Sequence, residues 1–354
     1  MTLEDLGYNL KLEKYREENN LNSFAVGRVI SEHKDRYTVK TETNELDSEL
    51  IGNLRFTAKS KCDLPVVGDW VAISEYDDHK ALIHAVFPRS SVLERKAIGK
   101  LSETQIIATN IDVALIIQSV NRDFSINRLE RYLTICNSSN IKPIIVLSKI
   151  DLIDKNELKS IIESIKKRIN NITIINLSNQ SLIGLNEIKS ILSKGKTYCL
   201  LGSSGVGKST LINNLIGEKI MATGEISDAI DRGKHITTSR ELIVSENGVL
   251  IDNPGMREVG ITSSDKGLEI TFNTILNLSN NCKFNNCAHT NEIGCAVLEA
   301  IENGIINIDS YNNYIKMTRE KEFFESSSIE RKKKNKNFGK MVKNVVKQRK
   351  KNKF

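Results

Sequence analysis

Gly202-Ser203-Ser204-Gly205-Val206-Gly207-Lys208-Ser209, followed by Thr210, fits the phosphate-binding pattern GxxxxGK[ST] and decides how the rest of the chain is read. The pattern carries weight only between a strand and a helix, and both are expected here. Thr197-Tyr-Cys-Leu-Leu201 is an apolar run suited to a buried strand, and Thr210-Leu-Ile-Asn-Asn-Leu-Ile216 repeats apolar residues at helical spacing. Glycines let the backbone turn its N–H groups onto an anion. Lys208 adds a charge within reach of the terminal phosphates, and the Ser209 hydroxyl is a ligand for Mg²⁺. A chance glycine-rich turn would lack the flanking strand and helix.

Upstream of this loop the chain alternates strands and helices. Strands are expected at 111–120, 143–147 and 172–177, and helices at 126–136, 156–168 and 185–192. Downstream, Glu241-Leu-Ile-Val-Ser245 and Val249-Leu-Ile-Asp252 flank Glu246-Asn-Gly248, which reads as a hairpin with an Asn-Gly turn. This is an α/β unit with a mostly parallel sheet. Residues 23–97 differ, with β-rich runs such as Ala25-Val-Gly-Arg-Val-Ile30, Tyr37-Thr-Val-Lys40, Gly68-Asp-Trp-Val-Ala-Ile73 and Ala81-Leu-Ile-His-Ala-Val-Phe87 between polar turns. That spacing predicts a small OB-type β-barrel, a class that often holds nucleic acid, although few aromatics are available for base stacking. The expected organisation is a short amphipathic or frayed lead-in at 1–22, the barrel at 23–97, the α/β domain at 98–262, a metal-binding helical domain at 263–330 and a basic tail at 331–354.

Base recognition separates the kinds of P-loop protein. Ser148-Lys149-Ile150-Asp151 follows a buried strand and resembles the [NT]KxD element of GTPases, whose carboxylate accepts two hydrogen bonds from the guanine edge while the Lys stem covers the ring. Adenine lacks that donor pair, which disfavours a kinase or ATPase. Ser148 stands where Asn or Thr is usual, and its shorter reach is expected to weaken nucleotide binding. Ser178-Asn179 occupies the place of the second guanine-binding element, usually Ser-Ala. Asp252-Asn-Pro-Gly255 matches DxxG, in which Asp holds Mg²⁺ through water and the Gly N–H meets the γ-phosphate. Arg232-Gly-Lys-His-Ile-Thr-Thr238 has the polar, glycine-containing character of a switch loop, with Thr237 as the second Mg²⁺ ligand. Octahedral oxygen ligation by Ser209, Thr237, phosphate oxygens and waters, one held by Asp252, completes the shell.

A metal of another kind is expected near the C-terminus. Cys282-x4-Cys287-x-His289-x5-Cys295 supplies three thiolates and one imidazole, a closed tetrahedral set for one structural Zn²⁺. The other three of the six cysteines, Cys62, Cys136 and Cys199, stand apart and read as small core residues. Six cysteines among 354 residues are too few for a disulfide scaffold. With no long apolar run and no basic-then-apolar start, the chain is expected to be soluble, cytoplasmic and off the membrane. The net charge of +7 hides a division: residues 331–354 hold twelve Lys and Arg and no acid, leaving the other residues at about −5. Such a tail suits a polyanion.

Chain order is the more telling feature, since guanine recognition at 148–151 precedes the P-loop, which precedes Thr237 and Asp252; ordinary GTPases run the other way. Together with Pro65-Val-Val-Gly-Asp69, the His235 loop, Asp252-Asn-Pro-Gly-Met-Arg-Glu258 and the cysteine cluster, this circular permutation resembles the RsgA/YjeQ family, small-subunit-dependent GTPases of bacteria. The resemblance spans nearly the whole chain. It implies a GTPase, expected as a monomer, that binds the small ribosomal subunit and its rRNA late in maturation and releases on converting GTP to GDP. Met256 replaces the water-orienting Gln of Ras-like enzymes, and a thioether cannot do that work; the resemblance points to His235 instead, a solvated loop histidine being the plainer reading. A rival function is an RNA-binding module in which nucleotide is only a conformational ligand. Passage of the nucleotide state from Gly255 to the nearby zinc segment is a further expectation.

Overall fold

The computed structural model describes residues 1–33, 36–96, 104–121, 123–218, 221, 241–253 and 265–326. The lead-in is packed rather than frayed. Asn9 caps α1 (Leu10–Glu18) by accepting from the Lys11 and Leu12 amides, and Leu6, Tyr8 and Leu12 are buried against Trp70 and Phe87. The Tyr8 and Trp70 rings meet edge to face, centroids 5.0 Å apart.

The barrel comprises β1 (Ala25–His33), β2 (Arg36–Lys40), β3 (Glu45–Leu50), α2 (Gly52–Thr57), β4 (Trp70–Asp77) and β5 (Lys80–Val86). Antiparallel pairs β1–β2, β2–β3, β4–β5 and β1–β4, with the parallel pair β3–β5, close five strands into the OB-type barrel. β3 was not apparent in the sequence, because Glu45-Leu46-Asp47-Ser48-Glu49 is rich in acids. Its alternation nevertheless points Leu46 and Ser48 inward and the acids outward. β4 begins at Trp70, later than expected, since Gly68 turns the chain with φ +96° and a Cβ there would lie 2.3 Å from the Thr109 carbonyl oxygen.

Beyond the barrel, β6 (Val92–Lys96) and β7 (Thr104–Thr109) pair with each other, and Leu93, Ile107 and Ala108 enter the α/β core. The boundary expected at 97/98 falls between these two strands. Asp69, fully buried, ties the segments together: its carboxylate accepts from Val66 N, from Arg89 Nε (2.9 Å) and Nη2 (2.7 Å), and from Thr109 Oγ1 (2.6 Å). This explains the Pro65–Asp69 turn as a junction. Cys62 lies in the same region in a half-buried 3₁₀ turn, its thiol directed to the Thr104 carbonyl, and is therefore not a core residue. Cys136 and Cys199 are buried as expected, and burial pushes the Cys136 thiol up to about 12.

The α/β domain continues with β8 (Val113–Ser119), α3 (Ile126–Ser138), β9 (Lys142–Ser148), α4 (Lys155–Lys166), β10 (Ile174–Leu177), α5 (Leu185–Ile191), β11 (Thr197–Leu201), α6 (Lys208–Ile216), β12 (Glu241–Ser245) and β13 (Gly248–Asp252). The sheet order is β10-β9-β8-β11-β13-β12, parallel except for β12. Continuous apolar strands suit a sheet covered on both faces. Ala114 and Ile116 face α3, whereas Leu115 and Ile117 face α5 and α6. The β12–β13 loop is Glu246–Asn247, with Gly248 already in the strand opposite Ser245, so the turn sits one residue earlier than the Asn-Gly reading.

A third core lies in α7 (Asp265–Thr271), α8 (Asn273–Ser279), α9 (Ala296–Glu302) and α10 (Ile308–Glu325), around Leu268, Phe272, Ile275, Val297 and Met317. Among the described residues no helix is long and apolar enough to cross a membrane.

Candidate nucleotide site and metal centre

β11 ends at the middle of the sheet, between β8 and β13, and the chain turns through 202–207 into α6. Only glycine fits two of these positions. A Cβ on Gly202 (φ +153°) would lie 2.3 Å from the Ile117 carbonyl oxygen, and one on Gly207 (φ +96°) 2.7 Å from Asn179 Nδ2. Val206 anchors the loop in the core, while Ser204 and Gly205 are exposed and Thr210 is half-buried. Lys208 folds back across the loop, donating from Nζ to the Gly202 and Ser203 carbonyls at 2.9 Å each. Burial pushes its pKa down and Asp252 opposes that shift. The ammonium thus occupies the loop's own mouth.

Asp252, at the end of β13, lies beside this cation. Burial pushes its carboxyl up, against the pull of Lys208 and of Ser209, whose hydroxyl donates to Oδ2 at 3.4 Å. Its Oδ1 has no hydrogen-bond partner among the described residues. A hydroxyl and a carboxylate with an unspent oxygen are hard donors that fit Mg²⁺. The neighbouring Asn253 donates from Nδ2 to Cys199 Sγ at 2.8 Å.

The guanine side converges on the same loop. Ser148, buried at the end of β9, donates its hydroxyl to the Val206 carbonyl at 2.8 Å, so its polar contact is with the phosphate loop. Asn179 acts alike: Nδ2 donates to the Gly207 carbonyl at 3.0 Å, and its own oxygens accept from Asn214. Ser178 is buried and accepts from Ser181 N. Lys149 takes φ +60°, which turns the chain into the 3₁₀ turn Ile150–Leu152 carrying an exposed Asp151. The C-terminal ends of β9, β10, β11 and β13, carrying 148–151, 178–179, 202–207 and Asp252, therefore lie along the same edge of the parallel sheet. His235, Thr237 and Gly255 lie outside the described residues, as do Met256, the rest of 222–240 and the 331–354 tail.

At the other end of the chain the ligand atoms of Cys282, Cys287, His289 and Cys295 lie within 4.8 Å of one another. Cys282 Sγ is 3.8 Å from Cys295 Sγ, and His289 Nδ1 is 3.6 and 3.4 Å from those two sulfurs. A tetrahedral Zn²⁺ with ordinary bond lengths demands edges of about 3.8 Å between sulfurs and about 3.6 Å between sulfur and nitrogen. The residues fit. His289 holds φ +58° in a loop locked by Glu292, whose carboxylate accepts from the amides of Ala288, Thr290 and Asn291. Those backbone hydrogen bonds hold the Glu292 carboxyl down to about 2. Tyr311 of α10 donates to the His289 carbonyl.

Comparison with known proteins decides the family. The model of the RsgA GTPase matches residues 86–262. The small ribosomal subunit biogenesis GTPase RsgA 2 of Lactiplantibacillus plantarum is 40% identical over 353 residues, 99% of each chain. This chain belongs to the RsgA GTPase family.

Among solved structures, the chain is similar to YjeQ from Thermotoga maritima (TM-score 0.61, 25% identity, 84% of this chain and 98% of that one). It shares its fold with YloQ, described as a circularly permuted GTPase (TM-score 0.61, 24% identity, 86% and 97% coverage). An ABC transporter model also matches 185–352, a stretch containing the strand, phosphate loop and helix common to P-loop proteins. Asn179, expected from the sequence in the second guanine-binding element, clamps the phosphate loop at Gly207. Sequence reasoning missed Arg128, whose Nη1 donates to Ser203 Oγ at 3.2 Å; the contact joins residues far apart in the chain, and no local pattern announces it.

Proposed function

We propose that this chain binds GTP with Mg²⁺ in the cleft bounded by 148–151, 178–179, 202–210 and 252–255, hydrolyses it to GDP, and acts on the small ribosomal subunit late in its maturation. The observation that carries this reading is the convergence of Lys208, Ser209 and Asp252 beneath one glycine loop, with Asp151 on the neighbouring rim. In this scheme the loop amides and Lys208 bind the phosphates, and Lys208 exchanges its two carbonyl partners for phosphate oxygens. Asp151 selects guanine by accepting from its edge. Ser209, Thr237 and Asp252 are the residues that would hold Mg²⁺. The ion would supply neutralisation of the charge developing on the phosphates. Gly255 contacts the γ-phosphate and His235 orients the attacking water, and turnover is slow until the subunit engages the enzyme.

The remaining parts serve RNA in this reading. Zn²⁺ held by the Cys₃His set maintains the C-terminal helical domain, and the 331–354 tail pairs with rRNA phosphates. Phe56 on α2, 91% exposed, gives the barrel an aromatic open to base stacking. The protein works as a cytoplasmic monomer, with the domain division set out from the sequence. Steady-state turnover of GTP and ATP, with and without purified small subunits, tests the proposal. Preference for GTP and stimulation by the subunit are expected. Equal use of ATP overturns the guanine assignment; GTP binding without stimulation, unchanged in His235→Ala, makes the nucleotide a conformational ligand only.

A further inference from the structure

Helix α3 touches the phosphate loop at its first turn and the C-terminal helices along the rest of its length. Ser125 caps it, and Arg128 reaches back with Nη1 to Ser203 Oγ and to the Asp123 carbonyl, both at 3.2 Å. Two residues further, Glu130 is 1% exposed and saturated with donors. Its Oε1 accepts from Arg168 Nε (3.0 Å) and Ser310 Oγ (2.9 Å), and its Oε2 from Arg168 Nη2 (2.7 Å) and Asn313 Nδ2 (2.6 Å). Ser310 and Asn313 belong to α10. Arg131 adds a bidentate pair with Glu320 of α10, at 2.8 and 2.6 Å. Towards the helix end, α7 presses so closely that a Cβ on Gly267 would lie 1.9 Å from Ser138 Oγ.

We propose that α3 is a coupling element in which α10 sets the seat of α3 through Glu130, and α3 sets the phosphate loop through Arg128. A buried carboxylate with four donors has one good arrangement: Arg168 balances its charge, and losing Ser310 or Asn313 leaves one of its oxygens short of a hydrogen bond in a poorly solvated place. A hydrogen-bonded helix of this length moves as a unit, so a shift of α10 is delivered at Arg128 and thence to Ser203. Coupling is reciprocal: engagement of the C-terminal domain changes nucleotide affinity, and nucleotide changes the seating of α10. Arg128 and Glu130 are positioning residues in this scheme. The route is distinct from passage through the loop after Asp252.

The inference rests on nucleotide binding at 202–209, and a double-mutant cycle on the full-length protein separates the two. Asn313→Ala lies in α10 and is expected to change the affinity for a fluorescent GTP analogue, and the KM for GTP, by about threefold or more. In an Arg128→Ala background the same substitution is expected to have no further effect, whereas in Arg128→Lys, which keeps a cation at the loop, part of it returns. An unchanged affinity in Asn313→Ala, or an equal effect in both backgrounds, overturns the coupling. Should Asn313→Ala fail to fold in a thermal melt, Ser310→Ala, which removes a single donor, completes the same cycle under the same criteria. Failure of the unaltered protein to bind the analogue would defeat the functional reading itself.

Discussion

The nucleotide cleft and the Cys₃His centre solve the problem of holding a charged ligand in opposite ways. The metal centre draws its four ligands from fourteen consecutive residues, closes on itself and leaves no position for substrate. The nucleotide cleft draws on residues from 148 to 252 and carries unsatisfied chemistry, with the Asp252 Oδ1 unpartnered among the described residues and the Lys208 ammonium parked on loop carbonyls. A closed set serves folding, whereas an open one serves exchange. In the proposed reading, this contrast makes one site a staple and the other a switch.

Removing the metal is the largest perturbation of that contrast. Structural zinc contributes on the order of 10 kcal/mol to folding, so a strong chelator, or Cys295→Ser, is expected to melt the helices of 265–326. Guanine nucleotide binding should persist, its affinity shifted by the loss of α10 but not abolished, as read by far-ultraviolet dichroism beside analogue fluorescence. Loss of both together would show that the two sites are not separable. Next in size is Lys208→Ala, expected to lower GTP affinity about a hundredfold through loss of charge-assisted bonds to phosphate; calorimetry checks it, and zinc content should not change. Asp151→Ala follows, with a loss of about thirtyfold for GTP and none for inorganic triphosphate, measured by competition. Smallest is Ser148→Ala, which strands the buried Val206 carbonyl and should cost about fivefold in affinity, about 1 kcal/mol. Ser148→Asn, offering a longer amide to the same carbonyl, is expected to equal or exceed the native affinity; a further loss would mean that the pocket is built for serine.

Legibility followed the range of the interactions. Lys208, Ser209 and the four metal ligands were readable because a glycine turn and a chelating spacing are satisfied within a few residues. The parallel strands were readable as continuous apolar runs, since both their faces are covered. β3 escaped because its three outward acids, Glu45, Asp47 and Glu49, mask a strand whose inward face needs only Leu46 and Ser48. The β6–β7 hairpin escaped because its strands lie on either side of the apparent domain border, and α1 because its burial depends on Trp70 and Phe87, far along the chain. The contact of Ser148 with the phosphate loop was not legible either, since its partner, the Val206 carbonyl, lies 58 residues away.

The amino-acid sequence by itself carries the GxxxxGK[ST] pattern, the resemblance of 148–151 to a guanine element, the Cys₃His spacing and the order in which they occur. Each depends on residue type and short spacing, which survive without knowledge of the fold. Tertiary structure alone decided that 148–151, 178–179, 202–209 and 252 share one edge, because parallel strands place the loops at their C-terminal ends side by side whatever the chain order. It also decided that Arg128 meets Ser203 and that Glu130 receives α10. Those contacts join residues 75 and more positions apart, and only packing of α3 against both neighbours brings them within hydrogen-bond distance.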